Sequence, residues 1–413
     1  MTASQQPSEP LLINGRSYRR PVQPVVIICF DGCDPAYLEA AGSVGAIPTL
    51  TTMMRDGFYS VALAAMPTFT NPNNVAIVCG APPAVTGVAG NYYLDRETGR
   101  EVMVLDGHQM EAETILARFS AIGDNVAIVT AKDKLLKALA RGHDGIALSA
   151  ESPAAAIAQI GPIGAGGAPD KYSADLSLFV LDAGIALLER HDCDVIYLSL
   201  SDYVEHKHAP ETSEAIAFMQ AVDRRLGRMV SLGAVVGIVA DHGMNDMANA
   251  DGTARIVLVQ DEIERTFGAG SARVICPITD PFTRHHASLG GFVRVYLNGQ
   301  DANVEAVRQH IASLAGVEMA LTGAQACARF ELPLKGEADI VVVGQKGVAL
   351  GATAAEHDLS QLAGTRLRSH GSTAEQPVPF ILSHPLDPAF RDRAKACLRN
   401  FDIFDYALNG VTL

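Results

Sequence analysis

The sequence predicts an α/β fold, a central, mostly parallel sheet sandwiched by helices, with a small α+β cap domain inserted late in the chain. Three observations carry that prediction. Runs at 25–30, 125–130, 194–200 and 235–240 are rich in Val and Ile without polar alternation, as strands covered on both faces are. Between them, 112–121, 174–190 and 211–230 space their apolar residues at helical intervals, which gives the strand–helix alternation of a parallel sheet. Finally, Asp31, Asp202 and the pair Asp241-His242 follow three of these runs closely. Open α/β sheets bind their ligands outside the carboxyl ends of the strands.

Taken in order, residues 1–22 are polar and Pro-containing and are expected to form an arm outside the core. Residues 23–247 and 366–413 make the catalytic core. Between them, over 248–365, the pattern shifts to strand-like runs at Arg255–Val259, Phe292–Leu297 and Ile340–Val343 with a helical run at 303–314, and this stretch is the predicted cap. After His370, the run Pro379–Ser383 and a helical tail from Pro388 return the chain to the main sheet. There is no internal repeat and no low-complexity tract.

Composition bounds the function. A chain of 413 residues exceeds what one core supports, and 48% hydrophobic with 19% charged residues fits a globular enzyme. The net charge of −14 argues against broad electrostatic binding to nucleic acid or an anionic membrane, so any bound anion needs a local positive potential. The seven cysteines are widely spaced with no CxxC pair, and are expected to be reduced. The start lacks the basic and apolar segments of a secretory signal, and no run approaches the roughly 20 apolar residues that span a bilayer. The expected location is the cytoplasm, and a homodimer is the one protein assembly left open.

Chemistry concentrates in a few positions. Asp202 and His206, four residues apart, share one face of a helical turn and can chelate one divalent ion, with His370 as a third donor. Asp31, Asp241 and His242 can form a second group, because Gly243 permits an immediate turn after the strand. Read singly, Asp202 and Asp241 serve equally as helix caps, Asp31 as a turn residue and His370 as a loop histidine. Thr68, in Met66-Pro-Thr-Phe-Thr70, stands at a junction where it is either a helix cap or a nucleophile near the positive end of a helix. Lys132 and Lys134 follow a strand-like run, so they reach the same sheet edge and can meet a compact di- or trianion. Arg284-His285-His286, in the inserted stretch, can clamp a carboxylate.

The order Asp31, Thr68, Asn91, Asp202-x3-His206, Asp241-His242-Gly243 and His370-Gly371 resembles the alkaline phosphatase superfamily, nearest its nucleotide pyrophosphatase/phosphodiesterase branch, over most of residues 25–385. Within that branch, Met66–Asp95, Lys132-Asp-Lys134 and Asp202–His208 are similar to the phosphonoacetate hydrolases. The resemblance implies an alkaline phosphatase-like fold and two zinc ions. One would be held by Asp202, His206 and His370, the other by Asp31, Asp241 and His242. It also implies Thr68 as the nucleophile lying between the ions and contacting them, and Asn91 as donor to a phosphoryl oxygen. Lys132 and Lys134, with Arg284 and His285, would bind a small carboxylated phosphonate. No Cys-x-Pro-x-Arg of sulfatases and no Asp-Ser-Ala of monoesterases is present. Two other readings stand beside hydrolysis of a carbon–phosphorus bond. One is a metal-dependent phosphodiesterase, for which the chain offers no Trp as a base platform but does offer Tyr92, Tyr93 and Tyr203; the other is a metal-stabilised binding protein that has no use for Thr68 as a nucleophile.

Overall fold

The computed structural model describes residues 9–164, 168–170, 172–190, 193–280, 286–299, 303–362 and 364–413. Its main sheet has seven strands: β1 (Val25–Cys29), β2 (Phe58–Leu63), β3 (Val126–Thr130), β4 (Ile146–Ser149), β5 (Val195–Ser199), β6 (Val235–Val239) and β7 (Pro377–Leu382). Their order in space is β2-β7-β6-β1-β5-β3-β4. The five strands from β6 to β4 run parallel, and at one edge β7 is added antiparallel to β6 and β2 antiparallel to β7. Every residue of β1, β3, β5 and β6 is buried, as their unbroken apolar runs require. Helices Asp175–Arg190 and Ser213–Ser231 match the predicted helical runs and pack against each other over this core.

The register aligns the strand ends. Val239 pairs with Cys29, Cys29 with Ser199, and Ser199 with Thr130, so the four central strands β6, β1, β5 and β3 end in one row. The chain segments that leave that row carry the candidate ligands.

The inserted stretch builds a second, antiparallel sheet, in the order Ala272–Ile275, Phe292–Leu297, Ile340–Gly344 and Val317–Thr322, with its own apolar cluster around Val293, Val295 and Val341. Met66 and Phe69, which flank Thr68, belong to that second cluster, so this sheet packs onto the segment that carries Thr68. Two expectations change. Residues 11–18 form a hairpin whose Ile13 and Tyr18 are buried in the main core, so this part of the predicted arm is core-packed. The run Arg255–Val259 is a strand only over Ile256–Leu258; Val259 already begins a helix to Phe267 that buries Val259 and Ile263 at helical spacing. Among the described residues, no helix is long and apolar enough to cross a membrane.

Candidate functional site

Each central strand delivers a polar residue to one place. Asp31 follows β1, Asp202 follows β5, Asp241 and His242 follow β6, and Lys132 follows β3. Gly32, with φ of 73°, turns the chain after Asp31, and a side chain there would press on Asp202 and Glu205. His206 lies on the short helix Tyr203–Lys207; Asp202 sits at its N-cap but makes no capping bond, so its carboxylate is left for another use. His370 arrives from the far side of the insertion. The two-residue pairing of Arg368–Ser369 with Asn245–Asp246 lays its ring on that of His242, centroids 3.5 Å apart and planes 7° from parallel.

The segment 368–372 is a hub. Arg368 O accepts from His206 Nδ1 at 2.8 Å, and Ser372 O accepts from Thr68 Oγ1 at 2.9 Å. His370 Nδ1 donates to Thr68 O at 2.7 Å. Gly371 lets the segment approach this closely, since a side chain at that position would strike the Phe69 ring. Thr68 precedes the helix Thr70–Cys79, whose N-cap is Phe69, so neither Thr68 nor Thr70 serves as the cap.

The imidazoles decide what the cluster can hold. His206, His242 and His370 each point Nδ1 at a backbone carbonyl, of Arg368, Gly243 and Thr68 respectively. A carbonyl only accepts, so Nδ1 carries the proton and the neutral ring presents a lone pair at Nε2. His206 Nε2 then faces Asp202 Oδ2 at 3.1 Å, and His242 Nε2 faces Asp31 Oδ1 at 3.3 Å. Acceptor meets acceptor in both, and only a proton or a cation between them reconciles the pairs. Neither oxygen of Asp31, fully buried, has a hydrogen-bond donor among the described residues. Donor atoms of Asp202, His206 and His370 lie within 4.8 Å of one another, and so do those of Asp31, Asp202 and His242. Carboxylate oxygens and imidazoles held by main-chain carbonyls form a donor set that fits divalent metal ions such as zinc.

Asp202 belongs to both groups. Asp241 stands one step behind, with Oδ2 3.7 Å from His242 Nε2, Oδ1 accepting from the backbone N–H of Gly32 and His242, and Oδ2 accepting from Asn74 Nδ2 at 3.2 Å. Asn74 is itself fixed by donation from Tyr197 and Ser199 on β5.

The crowded charges perturb one another. Burial, then Asp202 and Asp241, push the Asp31 carboxyl up to about 8. Burial opposes charge on His242, but Asp241 and Asp31 outweigh it and carry the imidazole up to about 9. Burial and the neighbouring His242 and His206 hold His370 well below the usual histidine range. Burial also opposes charge on Asp202, yet Lys132 and His206 hold it well below the carboxylate range. Lys132 Nζ is 3.1 Å from Asp202 Oδ1 and 3.9 Å from Asp31 Oδ2, an ammonium set among the clustered carboxylates.

Residues 25–371 match the type I phosphodiesterase / nucleotide pyrophosphatase family. Phosphonoacetate hydrolase from Sinorhizobium meliloti, solved in complex with phosphonoformate and with phosphonoacetate, is 38% identical, the match covering 99% of this chain and all of that one, with TM-scores of 0.91 and 0.90. The chain belongs to the phosphonoacetate hydrolase family. At the level of fold alone, this family member also matches murine ectonucleotide pyrophosphatase/phosphodiesterase 5, at 15% identity, 95% and 96% coverage and a TM-score of 0.63.

The remaining predicted residues fall into two sets. Asn91 is buried beside the Thr70–Cys79 helix; its Oδ1 accepts from Asn71 N at 3.2 Å and its Nδ2 donates to Ile278 O of the inserted region at 3.3 Å. Lys134 is partly buried and donates to Asp280 Oδ2 at 2.9 Å. Arg284 and His285 lie outside the described residues. Sequence reasoning missed Asp280, and it treated His286 only as part of an Arg-His cluster. His286 is buried, its ring 5.6 Å from that of His206, and burial holds it down to about 4. Its Nδ1 accepts from Ser288 N at 3.0 Å, so Nε2 bears the proton, opposite in sense to the three cluster histidines, and faces Asp280 Oδ1 at 3.9 Å. No local pattern marks Asp280 or His286 in the sequence. A cavity of about 800 Å³ between the N-terminal hairpin and the C-terminal segment is a poorer candidate, since its Arg16, Arg393 and Arg399 are already paired with Asp402, Asp405 and Glu331.

Proposed function

We propose that this enzyme hydrolyses the carbon–phosphorus bond of phosphonoacetate, giving acetate and phosphate. The observation that carries the reading is the placement of buried Lys132 against a buried cluster of three carboxylates and three imidazoles, with partly buried Lys134 beyond it. Such a site suits a small, highly charged anion. The S. meliloti relative, solved with phosphonoacetate, supports the choice of substrate.

In this reading Asp202, His206 and His370 hold one zinc, and Asp31, Asp241 and His242 the other, with Asp202 adjacent to both. When bound, two such ions supply positive charge that polarises the phosphoryl oxygens and lowers the pKa of a hydroxyl or of water. The protein's own groups do the rest. Thr68 Oγ gives up its proton to solvent and attacks phosphorus, forming an O–P bond as the C–P bond breaks in line. The electron pair passes to the carbon and delocalises into the neighbouring carboxylate, and a proton taken up from solvent at that carbon yields acetate. Water then attacks phospho-Thr68, returning the hydroxyl and releasing phosphate. Asn91 Nδ2 and Lys132 donate to the phosphoryl oxygens as charge builds, and the N-terminus of the Thr70–Cys79 helix favours an anion at the same point. Residues 248–365 act as a cap over the core formed by 23–247 and 366–413, and the enzyme works in the cytoplasm.

Phosphodiester hydrolysis is the second reading. It is favoured by a cavity of about 410 Å³ lined by Gly90, Tyr93, Arg96, Tyr296 and Lys335, whose aromatic walls could seat a base. Assaying zinc-loaded protein for phosphate release from phosphonoacetate and for nitrophenol release from bis(p-nitrophenyl) phosphate separates the two. Turnover of the diester alone would overturn the first reading.

A further inference from the structure

We propose that Asp280 is a specificity-determining positioning residue: it holds Lys134 where the carboxylate end of the substrate binds. The inference rests on the phosphonoacetate reading and adds to it a residue that neither sequence motif nor metal chemistry points to.

The backbone places Asp280 on a strap from the inserted region. Pro277 O accepts from Asn91 N at 2.8 Å and Ile278 O accepts from Asn91 Nδ2 at 3.3 Å, so two consecutive carbonyls seat the strap on the loop that carries the phosphoryl donor. Two residues on, Asp280 turns back into the site. One oxygen takes the Lys134 ammonium at 2.9 Å; the other faces the Nε2–H of His286 at 3.9 Å. Both partners are nearly fully buried, with Lys134 and Asp280 side chains 10% and 9% exposed. An ammonium carries three donors. One is spent on Asp280, which fixes the direction of the other two.

Charge sorts the site in the same sense. Burial disfavours a charged Lys134, and the like charge of Lys132 adds to that, while Asp280 opposes both. Lys132 is committed to Asp202 and Asp31 at the metal cluster. Lys134, one step farther out and set by Asp280, is therefore the cation available to the end of the molecule away from phosphorus. A phosphonate without a carboxylate has nothing to place there.

The test compares phosphonoacetate with methylphosphonate, which lacks the carboxylate, on zinc-loaded wild-type protein and on the variants Asp280→Asn, Lys134→Ala and the double variant. Binding is measured by calorimetry and turnover by phosphate release. Asp280→Asn is expected to weaken phosphonoacetate binding at least about tenfold more than methylphosphonate binding, to raise KM more than it lowers kcat, and to add little on top of Lys134→Ala. Equal losses for both ligands, or an unchanged preference, would overturn the proposal. If Asp280→Asn fails to fold, Lys134→Ala and His286→Ala carry the same comparison, and a loss of preference in the second but not the first overturns it. Failure of the parent reading looks different: wild-type protein releases no phosphate from phosphonoacetate, while the calorimetric preference still reports on Asp280.

Discussion

On the sheet side of the site, side chains leave the ends of parallel strands and are clamped by main-chain atoms: Arg368 O, Gly243 O and Thr68 O on the imidazoles, Gly32 N and His242 N on Asp241. On the inserted side, the Lys134 side chain is bonded to that of Asp280, which also faces His286, a side chain held in turn by Ser288 N. In the first construction the main chain, itself held at the strand ends, sets the direction of each imidazole. The second couples its members, so that disturbing one disturbs all. On the proposed reading the difference is apt: metal donors must be rigid at set distances, whereas a surface that reads a substrate needs only a consistent arrangement of charge.

The comparison can be broken at several points. Chelation should have the largest effect and abolish turnover. Because Asp31 at about 8 and His242 at about 9 hold protons that a metal must displace, the stabilisation given by metal should also depend on pH. Both values are raised above their ordinary 3.8 and 6.5, so the stability these groups lend to chelated protein is full below those ordinary values and is lost as pH rises through about 8 and about 9. The gap in Tm between zinc-loaded and chelated protein should therefore widen from about pH 6 to about pH 9, as followed by differential scanning fluorimetry. A gap that narrows would contradict the assignment of these two residues as ligands.

Next in size, Thr68→Ala should lower phosphate release by at least about 10³-fold. Metal content, read by atomic emission, should stay equal to that of the wild-type protein, since the Thr68 carbonyl that holds His370 survives the change. Asn91→Ala should cost about 10²-fold in kcat, the usual loss of one donor to a charge that develops in the transition state. The smallest effect sharpens the contrast most. A double-mutant cycle on Lys134→Ala and His286→Ala should show coupling of about 0.5–3 kcal/mol in phosphonoacetate binding, and a cycle on Lys134→Ala and Asn74→Ala, across the two sides, should be additive to within about 0.5 kcal/mol.

Much of the sheet side was legible in the sequence because its signals are local. Four unbroken apolar runs gave four central strands, and the polar residues just past them gave Asp31, Lys132, Asp202, Asp241 and His242 their place. Strand β2 was not legible, since its alternating exposure makes a weak apolar run, and neither was short β4 at the other edge. The hairpin at 11–18 was hidden by its shortness: two three-residue strands offer only Leu11, Ile13 and Tyr18 to the core, beside the polar Asn14-Gly-Arg-Ser17. Thr68 could be singled out at its junction, but its bond to Ser372, far along the chain, could not. Asp280 and His286 lie in loops of the inserted region, where no periodicity fixes direction, and their meeting with Lys134 depends on how the strap seats on Asn91.

The hub at 368–372 has a consequence for biosynthesis. A ribosome completes Asp31, Thr68, Asp202, His206 and His242 long before it reaches His370, with the whole insertion in between. Until then His206 lacks the Arg368 carbonyl that sets its tautomer, and Thr68 lacks its partner at Ser372. A nascent chain interrupted inside the insertion would therefore carry most of the proposed ligands without a finished centre, and, if they hold metal, its capture would mark chains translated through the hub.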